Sequence, residues 1–303
     1  MAPQWRSMAE EERERQYSPS SRLPDSDYRP YLDVYREPST KTLVHSTGAE
    51  VSVLRAGTGD KDLPAVHIVK SHDADGPIPL LAFIHGGYWQ ELSAAESLFP
   101  APACLARGWA YAALDHTLAP TASLDAIVDE VRRAMTALID RAPDLGLDPD
   151  RIVLAGHSAG AHLAAMTALG AVGAPHGSSL AGLVLVSGIY ELEPLIGTSV
   201  DDRLGLDTAT AQRNSPLLAT PSKAGAGFPP TLVAYGDDDT DEFRAQSEAY
   251  AHHLAATGTT VTTLEVADRH HFDVILNLAE PGTELGDEVD RLVRSTGRDA
   301  RRP

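Results

Sequence analysis

The chain has 303 residues, enough to bury a full core without demanding two domains, and its 43% hydrophobic and 22% charged residues describe an ordinary globular protein. A net charge of −18 argues against nucleic acid and against docking on anionic lipid, since both partners need a basic surface. The one cysteine, Cys104, excludes an intrachain disulfide, and its apolar-leaning surroundings from Phe99 to Trp109 make it a small core residue rather than a nucleophile.

The stretch from Met1 to Tyr17 is dominated by Glu and Arg and has no apolar h-region, so a secretory signal is not expected. No run of about 18 apolar residues occurs, so no membrane span is expected and the cytoplasm is the default location. A short helix is predicted around Met8 to Gln16, followed by a Pro/Ser-rich stretch from Ser18 to Thr40. Residues 1–42 form a polar segment that cannot build a core alone. It is expected either to drape over the main domain near the active site or to stay disordered.

Residues 43–297 are expected to form the main domain. Ala65 to Val69 and Leu80 to Ile84 read as strands, the second nearly continuous in apolar residues as a buried parallel strand should be. Trp109 to Leu114 is another. Leu124, Ile127, Val128, Val131, Met135 and Leu138 recur at helical spacing with charge on the opposite face, and this helix ends before Pro143. Arg151 to Ala155 is a strand and Ala159 to Leu169 a helix that is apolar nearly all round. Leu183 to Val186, Thr231 to Tyr235 and Val261 to Val266 are strands, with a helix from Glu242 to Ala256 between the last two. This alternation predicts an α/β fold with a mostly parallel central sheet and helices on both faces. Residues 188–230, Gly188 to Pro230, break the rhythm and read as a lid-like, pocket-covering insertion.

Three segments carry chemistry. Gly156-His157-Ser158-Ala159-Gly160 stands between a predicted strand and a predicted helix, the context of a nucleophile elbow on an α/β-hydrolase fold. Glycines two before and two after Ser158 let strand and helix approach, and the helix N-terminus favours a developing oxyanion. The strand Leu80 to Ile84 runs into His85-Gly86-Gly87-Tyr88-Trp89, where the fold needs further oxyanion donors. The backbone N–H groups of Gly86, Gly87 and Ala159 are the candidates, with His85 supporting the loop. The third segment is split, because the fold requires an acid and then a histidine after late strands. Residue physics leaves Asp237, Asp238, Asp239 and Asp241 open as the acid, and His270 and His271 open as the base. A divalent-metal reading of Asp237 to Asp241 lacks matching ligands elsewhere, and neither His252-His253 nor His270-His271 has metal spacing, so no metal is expected.

At these residues the sequence resembles the kynurenine formamidase (arylformamidase) family, relatives of the hormone-sensitive-lipase-like esterases. The resemblance covers most of the chain. It rests on Gln16-Tyr17-Ser18-Pro19-Ser20, the His85 to Trp89 segment, Gly156 to Leu163, and Ser187-Gly188-Ile189-Tyr190 followed by Leu192-Glu193-Pro194-Leu195. Glu242-Phe243-Arg244 with Gln246-Ser247, and His271-Phe272-Asp273, also fit. The resemblance implies Asp239, three residues before the Glu-Phe pair, as the acid and His271 as the base. It further implies hydrolysis of a formyl anilide such as N-formyl-L-kynurenine by Ser158, with no cofactor and a small aryl formamide or ester as the partner. Tyr88, Trp89 and Tyr190 are then candidates to line an aromatic substrate slot. The alternatives are a carboxylesterase or amidase on the same machinery, and a catalytically silent binding protein on a hydrolase fold. A homodimer is the expectation from the commonest assembly of soluble proteins.

Overall fold

A computed structural model of the chain describes residues 4–45, 48–55, 64–73, 76–170, 180–219 and 228–295. Its strands are β1 (Ala49–Arg55), β2 (Ala65–Ser71), β3 (Ile78–Ile84), β4 (Ala110–Leu114), β5 (Leu147–His157), β6 (Gly182–Val186), β7 (Thr231–Gly236) and β8 (Val261–Val266). They form one sheet in the order β1-β2-β4-β3-β5-β6-β7-β8. β1 and β2, and β2 and β4, pair antiparallel, whereas every pairing from β4 through β8 is parallel. The sheet is therefore mostly parallel, and β3, β4, β6 and β7 are buried along their whole lengths, as helices on both faces require.

The helices are α1 (Glu10–Gln16), α2 (Arg29–His45), α3 (Ala101–Ala106), α4 (Leu124–Arg141), α5 (Ala159–Leu169), α6 (Asp201–Leu204), α7 (Thr208–Arg213), α8 (Asp241–Ala256) and α9 (Glu284–Ser295). Because successive strand residues face opposite sides, each strand feeds two cores. Leu80, Ala82, Ile84, Ile152, Leu154, Leu183, Leu185 and Val233 pack with α4, α5 and α8. Leu81, Phe83, Val153, Ala155, Val184, Val186, Leu232 and Ala234 pack on the other face with α2, α3 and α9. Cys104 is one of the buried residues of that second core.

The stretch from Ser18 to Thr40 contains most of α2, a helix of 17 residues. Pro30 sits in its first turn, where a missing N–H costs nothing, and Pro38 is carried inside it. Leu32, Tyr35, Ser39 and Thr42 are its buried stripe. Two of these four are hydroxyl residues that bond back to carbonyls one turn earlier, Ser39 to Tyr35 at 2.7 Å and Thr42 to Pro38 at 3.1 Å. The edge strand β1 is a further element that the apolar pattern did not announce. Between β6 and β7 the chain forms short 3-10 turns with α6 and α7; residues 220–227 of the expected insertion lie outside the described residues.

Candidate active site

The carboxyl ends of β3, β5, β7 and β8 deliver the chemistry-bearing residues to one edge of the sheet, where ligands of open α/β sheets bind. Ser158 follows β5 directly and precedes α5, with φ 55° and ψ −120°. That left-handed conformation is strained for a serine and persists because its surroundings fix it. Its N–H donates to the Val186 carbonyl at 2.9 Å, tying the turn to β6. A methyl group at Gly156 would collide with the carbonyl of Gly160, and one at Gly160 with the carbonyls of Ile84 and His85. Both glycines are therefore required by the close approach of α5 to β5 and β3.

Asp239, in the turn after β7, has no exposed surface, and its Oδ1 and Oδ2 stand 3.1 and 3.3 Å from Nδ1 of His271. A carboxylate only accepts, so Nδ1 donates and Nε2 is left free as an acceptor. The other three carboxylates of the loop are exposed: Asp237 accepts from the N–H of Arg269, and Asp241 pairs with Arg22. His270 points elsewhere, with Nε2 3.0 Å from the Tyr31 hydroxyl and Nδ1 accepting from the Phe272 N–H at 3.1 Å. His157, adjacent to Ser158, donates from Nε2 to the main-chain carbonyl of His271 at 2.8 Å. Burial, then the neighbouring His271, hold its basicity well below that of an ordinary imidazole. A neutral ring thus ties the backbone of His271 to the residue preceding Ser158.

The loop after β3 is equally constrained. Gly87 has φ +94°, and its carbonyl accepts from Gln90 and Glu91 N–H at 2.8 and 3.0 Å. A methyl group at Gly86 would stand 3.2 Å from the Ser158 Cβ, so the glycine loop passes directly beside the elbow. His85 is buried, its Nδ1 donates to the Gly86 carbonyl at 2.9 Å, and its ring stacks on His116 at 4.4 Å. Burial, then His85, push His116 down to about 3, so it is neutral at ordinary pH. Ala159 is the first residue of α5, where an N–H has no intrahelical acceptor.

Ser158 and His271 line one cavity of about 290 Å³ together with His157, Phe272, Gly87, Tyr88 and Glu91. This volume suits a small molecule. Tyr88 is in the wall, with its hydroxyl hydrogen-bonded to the Tyr17 carbonyl. Trp89 and Tyr190, expected beside it, take no part. Trp89 is fully buried edge-on to His162 at 5.0 Å, and Tyr190 is fully buried in a stack on Tyr250 at 4.4 Å. Both are core aromatics because their side chains turn away from the sheet edge that their backbones approach. The aromatic wall is made instead by Tyr28, Tyr35 and Phe272.

Tyr28 and Tyr35 belong to the N-terminal segment, which sequence patterning did not resolve into site residues. Ser18, Pro19 and Ser20 also line the cavity. Tyr17 donates to Glu242 Oε2 at 2.8 Å and accepts from Gln246 Nε2 at 3.1 Å, while Thr240 Oγ1 donates to the Gln16 carbonyl at 2.7 Å. The Gln16 to Ser20 and Glu242 to Ser247 motifs, far apart in the chain, are thus the two halves of one buried network. Among the described residues, no group of three or more His, Cys, Asp or Glu side chains could hold a metal ion, and no helix is long and apolar enough to cross a membrane.

Comparison with known proteins bears on this site. A family model of the alpha/beta hydrolase fold matches residues 81–274. Kynurenine formamidase of Danio rerio is 32% identical over 283 residues, covering 91% of this chain and 94% of that protein. The kynurenine formamidase of Salmo salar is 33% identical over 286 residues, with the same coverage of 91% and 94%. Among solved structures, a thermostable carboxylesterase cloned from a metagenomic library superposes with a TM-score of 0.70 at 22% identity, covering 91% of this chain and 96% of that one. That likeness concerns the fold.

Proposed function

This chain belongs to the kynurenine formamidase family of α/β-hydrolases and is a hydrolase, and we propose that it cleaves N-formyl anilides, foremost N-formyl-L-kynurenine, to the free aniline and formate. The observation that carries the reading is His271, hydrogen-bonded to the buried Asp239 and lining, with Ser158, one small aromatic-walled cavity. The names of the fish relatives supply the substrate.

The chemistry follows from the residues. Ser158 Oγ attacks the formyl carbon while His271 Nε2 takes its proton, and Asp239 keeps the imidazole in the tautomer that can accept it. The carbonyl electron pair moves onto oxygen, which is held by the backbone N–H groups of Gly86, Gly87 and Ala159. Each such donor contributes about 3 kcal/mol in the transition state. Collapse breaks the C–N bond as His271 returns the proton to the aniline nitrogen. Water, deprotonated by His271, then attacks the formyl ester and releases formate, and Ser158 regains its proton. Formanilides suit this site because the nitrogen lone pair is shared with the ring, weakening the amide, and because the formyl carbon is unhindered.

The test is product analysis on N-formyl-L-kynurenine. Kynurenine and formate should appear in equal amounts with wild type, and turnover should fall by about 10⁴ to 10⁶ in Ser158→Ala with folding retained. Wild-type turnover in that variant would end the proposal.

A further inference from the structure

Every group that reacts in the proposed chemistry is accounted for, but one charged group in the cavity is not. Glu91 lines the same cavity as Ser158 and His271, and no other residue lining it is an Asp, Glu, Lys or Arg. Its two carboxylate oxygens accept from the Tyr28 hydroxyl at 3.0 and 3.1 Å. Among the described ion pairs none involves Glu91, whereas the neighbouring carboxylate of Glu96 is paired with Arg36.

The backbone that carries this carboxylate is fixed by the glycine loop. Glu91 N–H donates to the Gly87 carbonyl, and a methyl group on Gly87 would stand 2.5 Å from the Glu91 carbonyl oxygen. Its partner Tyr28 stacks on Phe272 at 5.8 Å with the planes 11° apart, and Phe272 follows His271 in sequence. Burial, then the adjacent Glu91 charge, raise the Tyr28 phenol, which therefore stays a neutral donor. One turn thus brings an exposed carboxylate, with no ion-pair partner among the described residues, into the lining of a cavity whose wall is aromatic, on a chain of net charge −18. A bound cation would complete the coordination of Glu91, and no cationic side chain in the lining is available to receive an anion.

We infer that Glu91 is the subsite for a primary ammonium group on the substrate. Resting on the formamidase reading, this specifies the substrate class as aryl formamides that carry an ammonium side chain, with no requirement for a carboxylate beside it. N-formyl-L-kynurenine meets the first condition, and its decarboxylated analogue N-formylkynuramine meets it as well. The deamino analogue, which keeps the carboxylate and lacks the ammonium, does not.

The experiment compares kcat/KM for N-formylkynuramine with that for the deamino analogue in wild type, Glu91→Gln and Glu91→Lys. Wild type should prefer the ammonium substrate by about tenfold at low salt, the size of a charge-assisted hydrogen bond, and less as salt is raised. Glu91→Gln should bring the ratio close to one, and Glu91→Lys should invert it, which a merely structural role would not do. A ratio unchanged in both variants overturns the inference. The same subsite is measured without formamidase turnover by letting kynuramine compete with p-nitrophenyl acetate hydrolysis. Its inhibition constant should rise about tenfold in Glu91→Gln. If no formamide is cleaved but this shift appears, the substrate reading fails and the subsite stands; an unshifted constant removes the subsite.

Discussion

Ser158 and Asp239 illustrate how side chains of ordinary type are made singular by placement. Of four carboxylates in one short loop, only Asp239 is buried, and only it meets His271. Asp239→Asn should therefore lower the rate by about 10⁴, as loss of the tautomer-setting acid does in comparable triads, while Asp237→Asn and Asp241→Asn stay near wild type. Rates measured on the three variants check this, and a strong effect at either exposed position would relocate the acid. By the same reasoning His271→Ala should cripple turnover and His270→Ala should not, since His270 is engaged with Tyr31 and the Phe272 N–H. Residue identities alone left the four aspartates and two histidines open. Composition cannot report burial inside a loop, and only the resemblance pointed to one of each. Trp89 and Tyr190 show the converse. Both flank segments that reach the site, but side-chain direction there depends on tertiary packing against His162 and Tyr250, which no local pattern encodes.

The elements that were legible are those whose periodicity is enforced by two-sided burial. β3, α4, α5 and β7 announce themselves because nearly every inward position is apolar. α2 did not, because its buried stripe mixes Leu32 and Tyr35 with Ser39 and Thr42 and is crossed by two prolines. At the elbow the crowding predicts a severe response: Gly160→Ala would force α5 away from β3 and should cost about 3 kcal/mol or more, with activity lost, read by denaturant unfolding. Native-like stability in that variant would refute the close approach. The N-terminal segment is clamped on buried carboxyls, and burial raises both Glu242 and Glu191 above the ordinary 4.5. A raised folded-state value means the folded protein holds the proton better than the unfolded chain does. That stability is complete below the unfolded value and is lost as pH rises through the folded one. Glu242→Gln keeps an acceptor for the Tyr17 hydroxyl and removes the titration. Its Tm relative to wild type should accordingly rise as pH is raised above the ordinary carboxylate value of 4.5; a flat difference would place the titration elsewhere.

For the whole molecule, the alternation of strands and helices determines a parallel sheet, and the sheet determines where its loops converge. That is why the fold class and the segments bearing the site could be read from 303 residues. The N-terminal part of the lining could not, because it comes from residues near the start of the chain that contact others more than 200 positions away, such as Tyr17 with Glu242. This N-terminal segment adds Tyr28 and Tyr35 to the wall of the cavity of about 290 Å³. The proposed function requires the assembled molecule to favour an aromatic formamide over a generic acyl ester. The most direct test is the steady-state kcat/KM on N-formyl-L-kynurenine beside that on p-nitrophenyl acetate. A value of about 10⁴ M⁻¹s⁻¹ or more is expected for the formamide, well above the ester value. Ester turnover with negligible kynurenine release would contradict it, keeping the hydrolase and discarding the substrate.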